Sequence, residues 1–169
     1  IRLSLVGSEM CIETASVLTA INEKTKVVAI QRSKGYDQRP SIPVNEIEEA
    51  IETIRKQHPN VIIFVDNCYG EFVEDKEPIE VGADIIAGSL IKNPGGGLAK
   101  IGGYIAGRKD LIERCGYRLT APGIGKEAGA SLNSLQEMYQ GFFLAPHVVS
   151  QSLKGALFTL SLYTSDAAD

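Results

Sequence analysis

The chain has 169 residues, 44% of them hydrophobic and 22% charged, proportions that suit one globular domain or a piece of a larger one. Its formal net charge is −4 and its 17 basic residues form no stripe, which argues against nucleic acid as a partner and leaves a small molecule as the expected one. The 3 cysteines lack CxxC spacing beside only 2 histidines, a pattern that argues against a disulfide framework and a zinc site and suits a reducing cytoplasm, and no apolar run of about 18 residues or signal-peptide pattern directs the chain to a membrane.

In chain order, residues 5–12, LVGSEMCI, come first, and with 162–169, LYTSDAAD, they resemble translated sequencing-adapter sequence. Neither stretch has a helical or alternating apolar period. Residues 1–15 and 161–169 are therefore expected to be a non-native leader and tail around a partial domain at 16–160.

KTKVVAIQ (24–31) reads as a β-branched strand. NEIEEAIETIRKQH (45–58) spaces Ile47, Ala50, Ile51 and Ile54 along one helical face, with Asn45 and Glu48 placed as a capping box and Pro59 as the stop. NVIIFVD (60–66) and ADIIAGSL (83–90) are nearly all apolar, as strands of a parallel sheet covered on both faces must be. The first two strands and the helix make a βαβ unit. GGYIAG (102–107) reads as a further strand and RKDLIERC (108–115) as a short helix. YRLTAPGIGKE (117–127) reads as a long loop, and 125–160 as two helical stretches broken at LAPH.

In an open α/β sheet, ligands bind beyond the carboxyl ends of the parallel strands. Those ends carry Gln31 and Arg32, then Asp66 and Asn67, then Ser89 and Lys92. An acid on one strand and a lysine just past the next meet the needs of an aldehyde cofactor of the pyridoxal phosphate type. The amine must lose a proton to form an imine, which partial desolvation and a nearby cation favour by lowering its pKa. The carboxylate keeps the ring nitrogen protonated, so that the ring draws in electrons. The Ser89 hydroxyl is placed for the phosphate. Arg32, Tyr36, Tyr69 and Arg118 lie near the expected crevice as candidates for substrate or interface contact, and Cys68 reads as a small apolar filler. GGGLAK is not a P-loop, because Ile101 follows where Ser or Thr is needed, and no GxGxxG follows the first strand.

VDNCYGEFVEDKEPIEVGADIIAGSLIKNPGGGLAKIGGYIAG, YRLTAPGIGKEAG and YQGFFLAPHVV together resemble the methionine gamma-lyase-like, or aluminium resistance protein, family of fold type I pyridoxal-phosphate enzymes, over residues 18–158. The resemblance implies the central part of the large domain of such an enzyme, a mostly parallel sheet flanked by helices. It implies a carbon–sulfur lyase acting on sulfur amino acids, with Lys92 as the imine-forming lysine, Asp66 as the partner of the ring nitrogen, and Ser89 and Asn67 in cofactor contact. The wider group carries threonine where Ile91 stands, and family members commonly carry proline where Lys100 stands. The resemblance also implies a cytoplasmic homo-oligomer, dimer or tetramer, for the intact parent. The competing reading is a truncated, non-catalytic α/β scaffold.

Overall fold

The computed structural model describes residues 14–129 and 131–166. The expected leader lies outside them apart from Thr14 and Ala15, as does the tail beyond Asp166. Among these residues the fold is organised by one sheet of four strands in the order β1 (Val27–Gln31), β2 (Ile62–Asp66), β3 (Ile85–Ser89), β4 (Gly103–Gly107). The first three are parallel; β4 runs antiparallel to β3 and closes the edge, Ser89 opposite Gly103. Four helices accompany them: α1 (Thr14–Ala20), α2 (Val44–Gln57), α3 (Lys109–Leu119) and α4 (Leu135–Asp166).

The core follows from two periodicities meeting. Alternate residues of a strand point to opposite faces, so Val28, Ile30, Ile63 and Val65 share one face. Ile47, Ala50, Ile51 and Ile54 of α2, with Val17 of α1, bury their apolar stripe against it. Each fully buried aliphatic side chain contributes about 1.5–3 kcal/mol. The opposite face is not covered as the sequence suggests. Ile62, Phe64 and Asp66 are half-buried and Ile105 of β4 is exposed, so among the described residues only one face is fully packed.

Three further expectations fail for local reasons. The capping box at Asn45 and Glu48 is absent, because α2 starts at Val44, after Pro43, with no capping side chain of its own. Its first amide instead donates to the carboxylate of Glu74, at 3.1 Å to Oε2. The loop expected from 117 begins as helix, since α3 continues to Leu119 and carries Arg118 in its last turn. The break expected at LAPH does not occur. Pro146 sits inside one continuous helix that also takes in residues 162–166, where no helical period is evident in the sequence. Among the described residues no helix is long and apolar enough to cross a membrane, and no three His, Cys, Asp or Glu side chains gather to hold a metal.

Candidate active site

The pleat divides the sequence-derived residues into two groups. Asp66 pairs with Ala87 across β2 and β3, so Asp66, Ala87 and Ser89 share the less covered face, while Asn67, one residue on, turns toward the core. Arg32, in phase with the core positions Val28 and Ile30, turns inward as well.

That inward group forms a network. Arg32 is 3% exposed and Asn67 0%. Nη1 of Arg32 donates to Oδ1 of Asn67 at 2.7 Å, and its Nη2 pairs with Glu74. Nδ2 of Asn67 donates to Oε2 of Glu77 at 2.8 Å and to the Tyr104 hydroxyl at 3.2 Å, and that hydroxyl donates to Oε1 of Glu71 at 2.8 Å. Burial pushes the Glu71 carboxyl above the ordinary carboxylate range, Tyr104 draws it down and Glu77 adds to the rise. Burial also raises the Tyr104 phenol, with Glu71 adding to it. Oε2 of Glu71 is buried and has no hydrogen-bond partner among the described residues. The structure therefore buries Arg32 and Asn67 and spends their polar atoms inside the protein, although Arg32 still forms part of the wall of the open cavity beside Cys68 and Tyr69.

The outward group converges on Lys92. This residue follows β3 and caps a 3-10 turn, Asn93–Gly95. Its backbone is held by the Lys92 amide donating to the Ser89 carbonyl at 3.2 Å and by the Gly95 amide donating to Lys92's own carbonyl at 3.0 Å. The side-chain Nζ stands 4.4 Å from the centre of the Tyr69 ring, a cation–π contact. Burial draws the Lys92 pKa down, but the Cys68 thiol, Tyr69 and Asp66 more than reverse this, and the amine lies above its ordinary value. The lowering expected from a neighbouring cation is thus overturned: the groups around Lys92 are the ones that become anions. Burial, then Asp66, raise the Cys68 thiol, and Lys92 opposes them. Cys68 is half-buried and lines the open cavity, so it does more than fill space in the core.

Oδ1 of Asp66 accepts the Cys68 amide at 3.1 Å. Ser89 is half-buried, and its Oγ accepts the Ile91 amide at 3.4 Å. Tyr36 is fully exposed in the segment between β1 and α2, and Arg118 is exposed on α3. An open cavity of about 250 Å³ reaches Cys68, Tyr69, Gly70, Ser41 and Leu153, but Lys92 and Asp66 do not line it.

Two of the three glycines after Lys92, Gly95 and Gly96, have a packing reason, whereas a Cβ on Gly97 would meet open space. A Cβ on Gly96 would run into the carbonyl of Gly141, and a Cβ on Gly141 into the carbonyl of Gly95. The lysine turn and α4 thus touch backbone to backbone, which only glycine permits.

Sequence reasoning missed Asn93, whose Nδ2 donates to the carbonyls of Tyr69 at 3.2 Å and Glu71 at 3.1 Å. Its place next to Lys92 was the available signal. Glu71, Glu74 and Glu77 were also missed, although three acids following a strand end, in a chain with a buried-phase arginine, are a recognisable cluster.

Fold and site together define an α/β protein with an amine and a carboxylate at the carboxyl edge of parallel strands. The chain belongs to the methionine gamma-lyase family, whose model matches residues 3–167. It is 68% identical over 148 residues to the uncharacterized protein YnbB of Bacillus subtilis, covering 88% of this chain and 35% of that one. A Listeria monocytogenes structure, described as a candidate cystathionine beta-lyase involved in aluminum resistance, is 60% identical with a TM-score of 0.89, over 93% of this chain and 39% of the other. A carbon–sulfur lyase involved in aluminum resistance from Clostridium novyi is 45% identical with a TM-score of 0.82, over 89% and 36%. The chain therefore spans little more than a third of the length of these relatives.

Proposed function

We propose that the chain forms the cofactor-binding part of a pyridoxal-phosphate-dependent carbon–sulfur lyase that acts on sulfur amino acids, of the cystathionine beta-lyase or methionine gamma-lyase type. The observation that carries this reading is that Asp66 ends β2 on the face it shares with Ser89 at the end of β3, while the Lys92 amine just beyond β3 stands 4.4 Å from the ring of Tyr69, three residues after Asp66. The donor set fits the group: a primary amine for its aldehyde, a carboxylate for its ring nitrogen, and a half-buried hydroxyl at Ser89 for its phosphate. The lyase names carried by the relatives point the same way.

When bound, pyridoxal phosphate supplies a ring that accepts the electron pair left as a proton departs from the substrate's α-carbon. Lys92 would be the residue that holds the group through its aldehyde, and its Nζ would serve as the base for the substrate's α-proton. Asp66 would hold the proton on the ring nitrogen and Ser89 Oγ would donate to the phosphate, while the Tyr69 ring limits where the lysine amine can stand.

The test is chemical trapping. The chain is mixed with pyridoxal phosphate, reduced with borohydride, digested and read by mass spectrometry. One adduct, on Lys92, is expected, together with visible absorption before reduction, and Lys92→Ala should lose both. Adducts spread evenly over the lysines would overturn the assignment and favour the non-catalytic scaffold.

A further inference from the structure

Tyr69 and Phe72 are non-glycine residues with φ of 68° and 62°. Side chains avoid that left-handed region, and such backbone persists only where the surroundings over-determine it. Two side chains do so here. From the core side, Glu77 Oε1 accepts the Phe72 amide at 2.9 Å. From the lysine side, Asn93 donates to the carbonyls of Tyr69 and Glu71. Between these anchors the Tyr69 side chain is 59% exposed, and its ring lies 4.4 Å from the Lys92 nitrogen. Asn93 is the residue that belongs to both walls: it is in the 3-10 turn that Lys92 caps and it binds the turn that carries Tyr69.

We infer that Asn93 is a positioning residue of this site, clamping the 69–71 turn to the lysine turn and thereby setting the Tyr69 ring against the Lys92 amine. Its functional meaning rests on the reading of Lys92 as the reacting amine; the clamp itself rests on the hydrogen bonds alone. A residue that merely held the fold together would change stability without changing how Lys92 ionises relative to the other lysines. A residue that places the ring changes the environment of that one amine.

Competitive acetylation of the chain with acetic anhydride across a pH series, read lysine by lysine by mass spectrometry, separates the two. The ring stabilises the ammonium form, so removing it lowers the pH at which Lys92 becomes reactive. Tyr69→Leu is expected to shift the Lys92 midpoint down by about half a pH unit. Asn93→Ala should shift it by the same amount, with Lys100 unmoved, and the double variant by no more than either single one. A Lys92 midpoint unmoved by either substitution, or shifts that add in the double variant, would overturn the inference. Should Asn93→Ala not fold, Asn93→Ser, which keeps one donor, decides: a partial downward shift supports the clamp, and an unchanged midpoint counts against it. Acetylation needs no pyridoxal phosphate. Shifts as expected in a chain that fails to trap the cofactor would therefore sink the lyase reading and leave the clamp standing.

Discussion

Lys92 is surrounded by a thiol, a phenol and a carboxylate, and these hold its amine in the charged form to higher pH than an ordinary lysine. A folded-state pKa that is raised means that the ammonium is favoured below it, so the free amine appears only as pH climbs toward and past that value. Asp66 is the carboxylate among these neighbours. Asp66→Asn should accordingly move the onset of Lys92 acetylation to lower pH, by up to about one unit, while weakening uptake of pyridoxal phosphate measured by absorbance titration. Weaker uptake without a change in Lys92 ionisation would show that the two groups do not sense each other across the crevice. At this scale the placement of Asp66 and Lys92 was legible in the sequence for one reason: both sit where a parallel strand ends, and strand ends are legible from apolar runs. It was uninformative about Arg32 and Asn67, which look equally well placed. Their orientation depends on pleat phase carried one residue past the strand, and on partners such as Glu74 and Glu77, 42 and 10 residues away in sequence, that leave no periodic trace.

Secondary structure was easiest to anticipate where a single period dominates. The stripe of α2 and the β-branched strands appear within a few residues of their expected bounds. Where tertiary contact decides, local signals mislead. The start of α2 is capped by a carboxylate from a distant turn and not by its own Asn45. Pro146 ordinarily breaks a helix by removing an amide and crowding the preceding turn, but α4 runs through it. The packing of Gly141, Ala145 and Val149, all three buried, holds the helix on both sides of the proline. The contact between α4 and the lysine turn allows no added atom. Gly141→Ala is expected to cost about 1–3 kcal/mol of stability through overpacking, seen as a lower urea midpoint, and to reduce trapping at Lys92 because the turn must yield. An unchanged midpoint with unchanged trapping would mean that the helix can back away freely.

Over the whole molecule, Asp84 ties four elements together. Its Oδ2 accepts the Ile63 amide at 2.7 Å and pairs with Arg55 of α2, and its Oδ1 pairs with Arg108 at 3.1 Å, just past β4. Burial alone would raise its pKa, but the Ile63 amide, Arg108 and Arg55 outweigh burial and hold it below the usual carboxylate value. For a depressed folded pKa the stabilisation is complete above the unfolded value, about 3.9, and is lost as pH falls through the folded one. Asp84→Asn should therefore lower stability at neutral pH by about 1–3 kcal/mol, and the gap to the unsubstituted chain should narrow in acid. A gap constant with pH would locate the loss in packing instead. The same view of the molecule explains how the lysine segment behaves. β3 and β4 pair antiparallel up to Ser89 and Gly103, and the Leu90 amide donates to the Gly102 carbonyl beyond them. Residues 90–102 thus leave and re-enter the sheet side by side, stitched at the stem and pressed by α4 at the tip. A segment fastened in this way has no hinge. Any change of shape in the crevice therefore falls to the facing side, where residues 33–43 and the left-handed turn at Tyr69 lie.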